Sequence, residues 1–240
     1  MSLTVSVQAR DLILRAEDPA SSIWPEVRPD EGAPGGDTGP NFPDMSHDTA
    51  LFLGQFLRTP ATIGAVAPSS RRLASAVCAP IPERGEPTVV ELGPGTGPFT
   101  AEIQQRLGGR GHHLAVEVNE PMARLLAARF PAVDVVHADA ARLGELLDER
   151  GLLQADVVVS GLPWAAFPQR LQHSLLDAVT SAMSPGAAFT TFSYIHAIPL
   201  SSARRFRALL AERFEEVVPG RTVWRNAPPA FVFHARRPRT

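Results

Sequence analysis

Val89-Val90-Glu91-Leu92-Gly93-Pro94-Gly95-Thr96-Gly97 decides how the rest of the chain is read. β-Branched residues and a leucine run into three glycines at alternate positions, and the helical spacing Phe99, Ile103, Leu107 follows. The pattern predicts strand, tight turn, helix. Glycine reaches positive φ without a Cβ penalty and leaves room for a ligand to lie against bare main chain. The helix start supplies backbone N–H groups that have no partner inside the helix.

Downstream, apolar runs alternate with amphipathic ones. Strands are predicted at 88–92, 113–118, 133–137, 155–159 and 187–194, and helices at 97–107, 120–130, 141–149, 168–183 and 201–212. This βαβα order implies a parallel sheet with helices on both faces. Two last strands, Glu215 to Trp224 and Ala230 to Arg236, are joined by the short turn Asn226-Ala227-Pro228-Pro229. Upstream, the small-residue loop 62–70 precedes a helix from Arg71 to Ala79, capped by Ser69 or Ser70. A helix is also expected over 46–57, with Phe52, Leu53, Phe56 and Leu57 on a broad apolar face, ended by Thr59-Pro60. Residues 16–46 are rich in Pro, Gly, Asp and Glu and bury too little apolar surface to order themselves. The expected organisation is a flexible extension or linker over 1–45, a helical lid over 46–80 and a ligand-binding core over 81–240.

The chain has 240 residues, of which 44% are hydrophobic, enough for one substantial core. A net charge of −2 gives no overall basic field to attract nucleic acid. Every basic residue among the 23 is arginine, so no lysine serves as a catalytic base. Cys78 is the sole cysteine, which excludes an internal disulfide or a cysteine metal cluster and fits a reducing cytosol. Arg10 and Asp11 interrupt the N-terminus before a leader-like apolar run builds, and no stretch is long enough to span a membrane. The expected location is cytoplasmic, with any membrane contact peripheral at the inner face.

The dinucleotide fingerprint is G-x-G-x-x-G, but here Pro98 stands where its third glycine belongs. The observed G-x-G-x-G, with Glu91 two residues ahead, resembles the first motif of class I S-adenosylmethionine (SAM) methyltransferases. The resemblance implies an α/β, Rossmann-like fold: a seven-stranded, mostly parallel sheet closed by a C-terminal antiparallel hairpin. Gly93, Gly95, Thr96 and Gly97 would then cradle the cofactor. In this class the residue at Glu91 bonds loop N–H groups or, through water, the methionine amine. Ligands of open α/β sheets cross the carboxyl ends of the strands. Glu117, 20 residues after Gly97, ends the second predicted strand beside Val118, where a carboxylate accepts ribose hydroxyls. Asp139 follows the third strand and resembles the acceptor of the adenine amine, with the Ala140 N–H facing a ring nitrogen.

After the fourth strand come Ser160, Gly161, Leu162, Pro163 and Trp164, the first three of them candidate cofactor contacts. Enzymes that methylate the exocyclic amine of adenine read Asn-Leu-Pro-Tyr or Asn-Pro-Pro-Tyr there. Ser160-Gly161 lacks the gripping asparagine, which argues against an rRNA dimethylase. Trp164 offers either a flat substrate surface or plain core packing. Tyr194, the only tyrosine, and His196 end the fifth strand. Strand alternation would put them on one face. They are the catalytic candidates, through a ring facing the methyl or a proton acceptor for an amine.

Phe56-Leu57-Arg58, Gly64-Ala65-Val66-Ala67-Pro68-Ser69-Ser70, the glycine turn, Ser160-Gly161-Leu162-Pro163 and Trp224-Arg225-Asn226-Ala227-Pro228-Pro229-Ala230 together resemble the bacterial PmtA-like phospholipid N-methyltransferases. That likeness runs from about residue 50 to 237. It implies methyl transfer from SAM to the amine of phosphatidylethanolamine, with Pro68 and Ser69 near the methionine end and the 46–57 helix touching the membrane. The arginine runs 204–207 and 236–239 would add cationic surface. The alternatives are a small-molecule tailoring methyltransferase with N-, O- or C-alkylation, and a SAM-binding regulator without catalysis. No metal and no nucleic-acid partner is expected.

Overall fold

The computed structural model describes residues 69–239. The expected 46–57 helix, the 1–45 extension and Pro68 lie outside them. A seven-stranded sheet runs in the order β3-β2-β1-β4-β5-β7-β6. Its strands are β1 (Thr88–Leu92), β2 (His112–Glu117), β3 (Asp134–His137), β4 (Ala155–Ser160), β5 (Met183–Tyr194), β6 (Phe214–Pro219) and β7 (Ala230–Pro238). The first five pair in parallel. β7 runs antiparallel to both β5 and β6. The chain order reverses between β1 and β4, and in open α/β sheets ligands bind at the carboxyl edge of such a switch point.

Six α-helices accompany these strands among the described residues: α1 (Arg71–Val77), α2 (Pro98–Leu107), α3 (Glu120–Arg129), α4 (Leu143–Asp148), α5 (Gln169–Ser181) and α6 (Ser201–Arg213). Their limits follow local chemistry. Gly97, in the left-handed region, precedes α2 and Pro98 opens it, where its missing N–H costs nothing. Left-handed Gly108 closes the same helix by donating to the Gln104 carbonyl. Asn119 caps α3, its Oδ1 accepting from the Met122 N–H at 3.0 Å. α3 stops ahead of Phe130-Pro131, because the residue before proline avoids the α region.

β1 is central, and four of its five residues are buried. On one face Val89, Val157, Val159 and Val232 pack with Leu73, Ala74 and Val77 of α1 and Phe99, Ile103 and Leu107 of α2. α1 therefore sits in the same core as the strands. Burying Leu73 and Val77 contributes about 1.5–3 kcal/mol each. Cys78 closes that helix, wholly buried, and burial together with the Glu91 and Glu102 charges drives its thiol pKa far up. On the opposite face Trp164 lies flat on Phe206 at 4.7 Å and meets Phe167 and Phe189 edge-on. Trp164 is 2% exposed, so of its two readings core packing is the one found.

The last hairpin differs from expectation. β6 ends at Pro219, five residues early, and residues 220–229 form a long loop containing a cis Ala227-Pro228 bond. Pro219, Gly220 and the Pro228-Pro229 pair cannot sustain a regular ladder there. The hairpin itself forms, from Phe214↔Pro238 to Pro219↔Phe233, and beyond Pro219 an isolated bridge joins Val223 to Ala230.

Candidate active site

A line of backbone hydrogen bonds joins the strand tips. Ala138 N–H donates to the Glu117 carbonyl at 3.1 Å, Gly93 N–H to Val116 at 2.9 Å, and Gly161 N–H to Leu92 at 2.8 Å. Ile195 N–H donates to Pro229 at 3.0 Å, which ties the β5 tip to the loop before β7. The glycine turn thus sits between the acid-bearing tips of β2 and β3 and the Ser160-Gly161-Leu162 segment after β4.

Each glycine serves a different contact. A Cβ at Gly161 would meet the Gly93 carbonyl oxygen at 2.5 Å, so this residue lets two loop backbones touch. A Cβ at Gly97 would meet Phe130 at 2.7 Å and Leu126 at 2.9 Å, so that glycine admits α3. Gly95 has φ +55° and no heavy atom within 4 Å of where its Cβ would stand. That open space lies at the crown of the turn, where a ligand needs bare main chain. Thr96 is exposed, and its carbonyl accepts from Arg129 Nη1 at 2.9 Å.

Glu117 is 3% exposed and holds the turn directly. Its Oε2 accepts from the Gly95 N–H at 3.1 Å and its Oε1 from the Asn119 N–H at 2.9 Å. Burial pushes its pKa above the ordinary 4.5, against the pull of those two N–H groups. A carboxylate with two N–H partners retains lone pairs for two ribose hydroxyls. Val118 follows it, its carbonyl facing His137 Nε2 at 3.0 Å. On the next tip Asp139 is buried, with Oδ1 accepting from the Ala141 N–H at 2.9 Å, and Ala140 is buried beside it.

Glu91 departs from the loop-bracing role the resemblance implies. It lies wholly buried beneath the turn. Its Oε2 accepts from Thr100 Oγ1 at 2.8 Å and lies 3.2 Å from His113 Nε2. Gln104 Nε2 is 3.0 Å from His113 Nδ1. With the amide donating there, the His113 Nε2–H donates to Glu91. The network pins β1 to α2 and β2, and sequence reading missed its partners. Adjacent His112-His113 at the start of β2 was the available signal. Glu91 Oε1 has no hydrogen-bond partner among the described residues.

Ser160 also turns inward. Its Oγ accepts from Trp164 Nε1 at 2.9 Å and from the Leu162 N–H at 3.3 Å, so it shapes the loop and does not face the crevice. Leu162 packs against Gly93. Ser69 is half-buried, and beside it the Ser70 N–H donates to Asn226 Oδ1 at 2.9 Å, which brings the start of α1 to the same edge.

β5 ends at Tyr194, and His196 falls in a short 3-10 turn, so strand alternation is not what relates them. Their rings nevertheless stack, 5.5 Å apart and 11° from parallel. Tyr194 is half-buried against Phe192, while His196 is exposed. Burial raises the Tyr194 phenol further above 10, so it stays a neutral hydroxyl at physiological pH. Among the described residues no cluster of three or more His, Cys, Asp or Glu could hold a metal ion.

Comparisons with known proteins agree with this geometry. Residues 89–186 match the family model described as "Methyltransferase domain". The chain is 38% identical over 192 residues to the ornithine lipid N-methyltransferase of Singulisphaera acidiphila, covering 79% of this chain and 96% of that protein. Among solved structures it resembles an O-methyltransferase from Bacillus cereus in complex with SAH, with a TM-score of 0.55, 14% identity, and 78% and 91% of the two chains covered. It also resembles TrmN from Thermus thermophilus, with a TM-score of 0.54, 19% identity and 70% of this chain covered. The aligned part spans about half of TrmN, 48% of its length. The chain belongs to the class I SAM-dependent methyltransferases. It is an enzyme of that class, and its cofactor is S-adenosyl-L-methionine.

The residues present fit that group. Gly95 leaves space over the turn, Glu117 offers carboxylate oxygens where the resemblance expects the ribose, and Asp139 with Ala140 stands one strand further on. When bound, S-adenosyl-L-methionine supplies a methyl carbon made electrophilic by a sulfonium, an excellent leaving group. The chain's own task is alignment and exclusion of water.

Proposed function

We propose that the protein methylates the amine of a lipid head group. The observation that carries this reading is the match to a lipid N-methyltransferase over nearly its whole length. The PmtA-like segments 64–70 and 224–230 support it, because Asn226 joins them physically through the Ser70 N–H. The acceptor amine would enter neutral from the carboxyl edge, and S-adenosyl-L-methionine held at the glycine turn would supply the methyl group to its lone pair and leave as the thioether. The ammonium proton then leaves to solvent or to exposed His196, while the Tyr194 ring and hydroxyl line the approach. The protein acts at the inner membrane face; among the described residues no helix is long and apolar enough to cross a membrane.

The test is incubation with methyl-labelled SAM and detergent-dispersed total lipid, followed by chromatography. Label is expected in an aminolipid. Separate arms with phosphatidylethanolamine and with an ornithine-headed lipid decide between phosphate-linked and amino-acid head groups. Label confined to water-soluble products would replace the lipid reading with small-molecule tailoring.

A further inference from the structure

β7 is antiparallel to β5, so its first residue, Ala230, pairs with Tyr194 at the active edge. The loop 220–229 therefore stands on the edge where acceptor must arrive. Arg221, Trp224 and Arg225 of this loop and Arg72 of α1 line a cleft of about 670 Å³. No acidic side chain lines it, and among the described residues none of its three arginines has an ion-pair partner. Trp224 is 72% exposed, and Leu200, after the neighbouring β5 tip, is 49% exposed. The Ile195 to Pro229 bond holds the two connections together.

The carboxyl-terminal arginine run is placed differently. Arg236 pairs with Ala188 near the start of β5, at the opposite edge. Arg237 is held by Glu215 and Glu216, and Arg239 by the Phe214 carbonyl. Those charges are mostly satisfied internally and face away from the crevice.

We propose that Arg72, Arg221 and Arg225, with Trp224 and Leu200, form the surface that docks this enzyme on an anionic bilayer. Arginine is drawn to the negative surface potential of anionic lipid. Tryptophan settles at the boundary between head group and acyl chain, where one side of its ring is wet and the other apolar. Docked this way, the enzyme presents the Tyr194–His196 tip to the membrane plane. The inference rests on the lipid-acceptor reading and adds which face meets the lipid.

The experiment is flotation of the full chain with phosphatidylcholine vesicles, with and without phosphatidylglycerol. Binding to the anionic vesicles alone, weakened by salt, is expected. Partitioning should fall about five-fold for each arginine removed. Arg221→Glu with Arg225→Glu should abolish it, with melting temperature and SAM affinity as folding controls. Independently of any charge variant, brominated lipid should quench emission in the wild type by more than in Trp224→Phe. Unaltered binding by the charge-reversed variant overturns the proposal and points to another segment, such as 46–57. Failure of the wild type to float overturns it as well. Methylation of detergent-dispersed lipid, scored separately, shows in either case whether the lipid-acceptor reading stands.

Discussion

Glu117 links the cofactor site to pH. Its folded-state pKa lies above 4.5, so across that interval the folded protein keeps a proton that the unfolded chain has released. This group's contribution to apo stability is largest below 4.5, declines as pH rises through the raised value, and is flat beyond it. SAM affinity should run the other way, because ribose hydroxyls are held by the ionised form. Titration calorimetry across this range should show binding strengthen with pH, and Glu117→Gln should bind about tenfold or more weakly with a flattened profile. The glycines separate in a similar test. Gly95→Ala meets no clash and costs about 1–2 kcal/mol for its left-handed backbone, yet it fills the open space and should lose SAM binding. Gly161→Ala forces apart two backbones and should lower stability by about 1–3 kcal/mol in denaturant unfolding. If His196 takes the acceptor's proton, His196→Ala should lower kcat about 100-fold near neutral pH while leaving SAM affinity intact. Unchanged turnover would remove it from the mechanism. Tyr194→Phe should retain most turnover, because the half-buried hydroxyl stays neutral at physiological pH and takes no proton from the acceptor.

At the scale of elements, Trp164 is the pin of the β4–α5 connection, held by Ser160 Oγ and stacked on Phe206 of α6. Trp164→Ala should cost about 3–5 kcal/mol in unfolding free energy, far more than a surface aromatic would. Most elements were legible because their residues agree at every level. Val-Val-Glu-Leu followed by glycines has one reading, and the observed bounds of β1 to β4 fall within a residue of expectation. The end of β6 was not legible, since Val223 and Trp224 look strand-like while Gly220 interrupts their ladder. The partner of Ser160 was not legible for a related reason. A small polar residue at a strand tip looks functional, and only the fold reveals a buried indole N–H that requires it. Glu91 stands out in the sequence, but Thr100, Gln104 and His113 are brought together around it only by packing of α2 over β1 and β2.

For the whole molecule, the sheet order determines which surfaces can cooperate. Parallel strands put all the cofactor-facing tips on one edge, and the reversed last strand adds the arginine loop to it. SAM should stabilise the entire fold, because its contacts come from several strands: at about 100 times its Kd the gain is about 2.7 kcal/mol. Differential scanning fluorimetry should show that upward shift in Tm for the wild type and a loss of most of it in Gly95→Ala. A shift seen equally in both would place the cofactor elsewhere.

The solitary thiol has a practical corollary. Cys78 is sealed under α1 with its ionisation suppressed, so maleimide reagents should leave the native chain unlabelled while it is folded. A single cysteine introduced on the 220–229 loop would then take up dye cleanly. Fluorescence from that one position could follow individual enzymes landing on and leaving a supported bilayer.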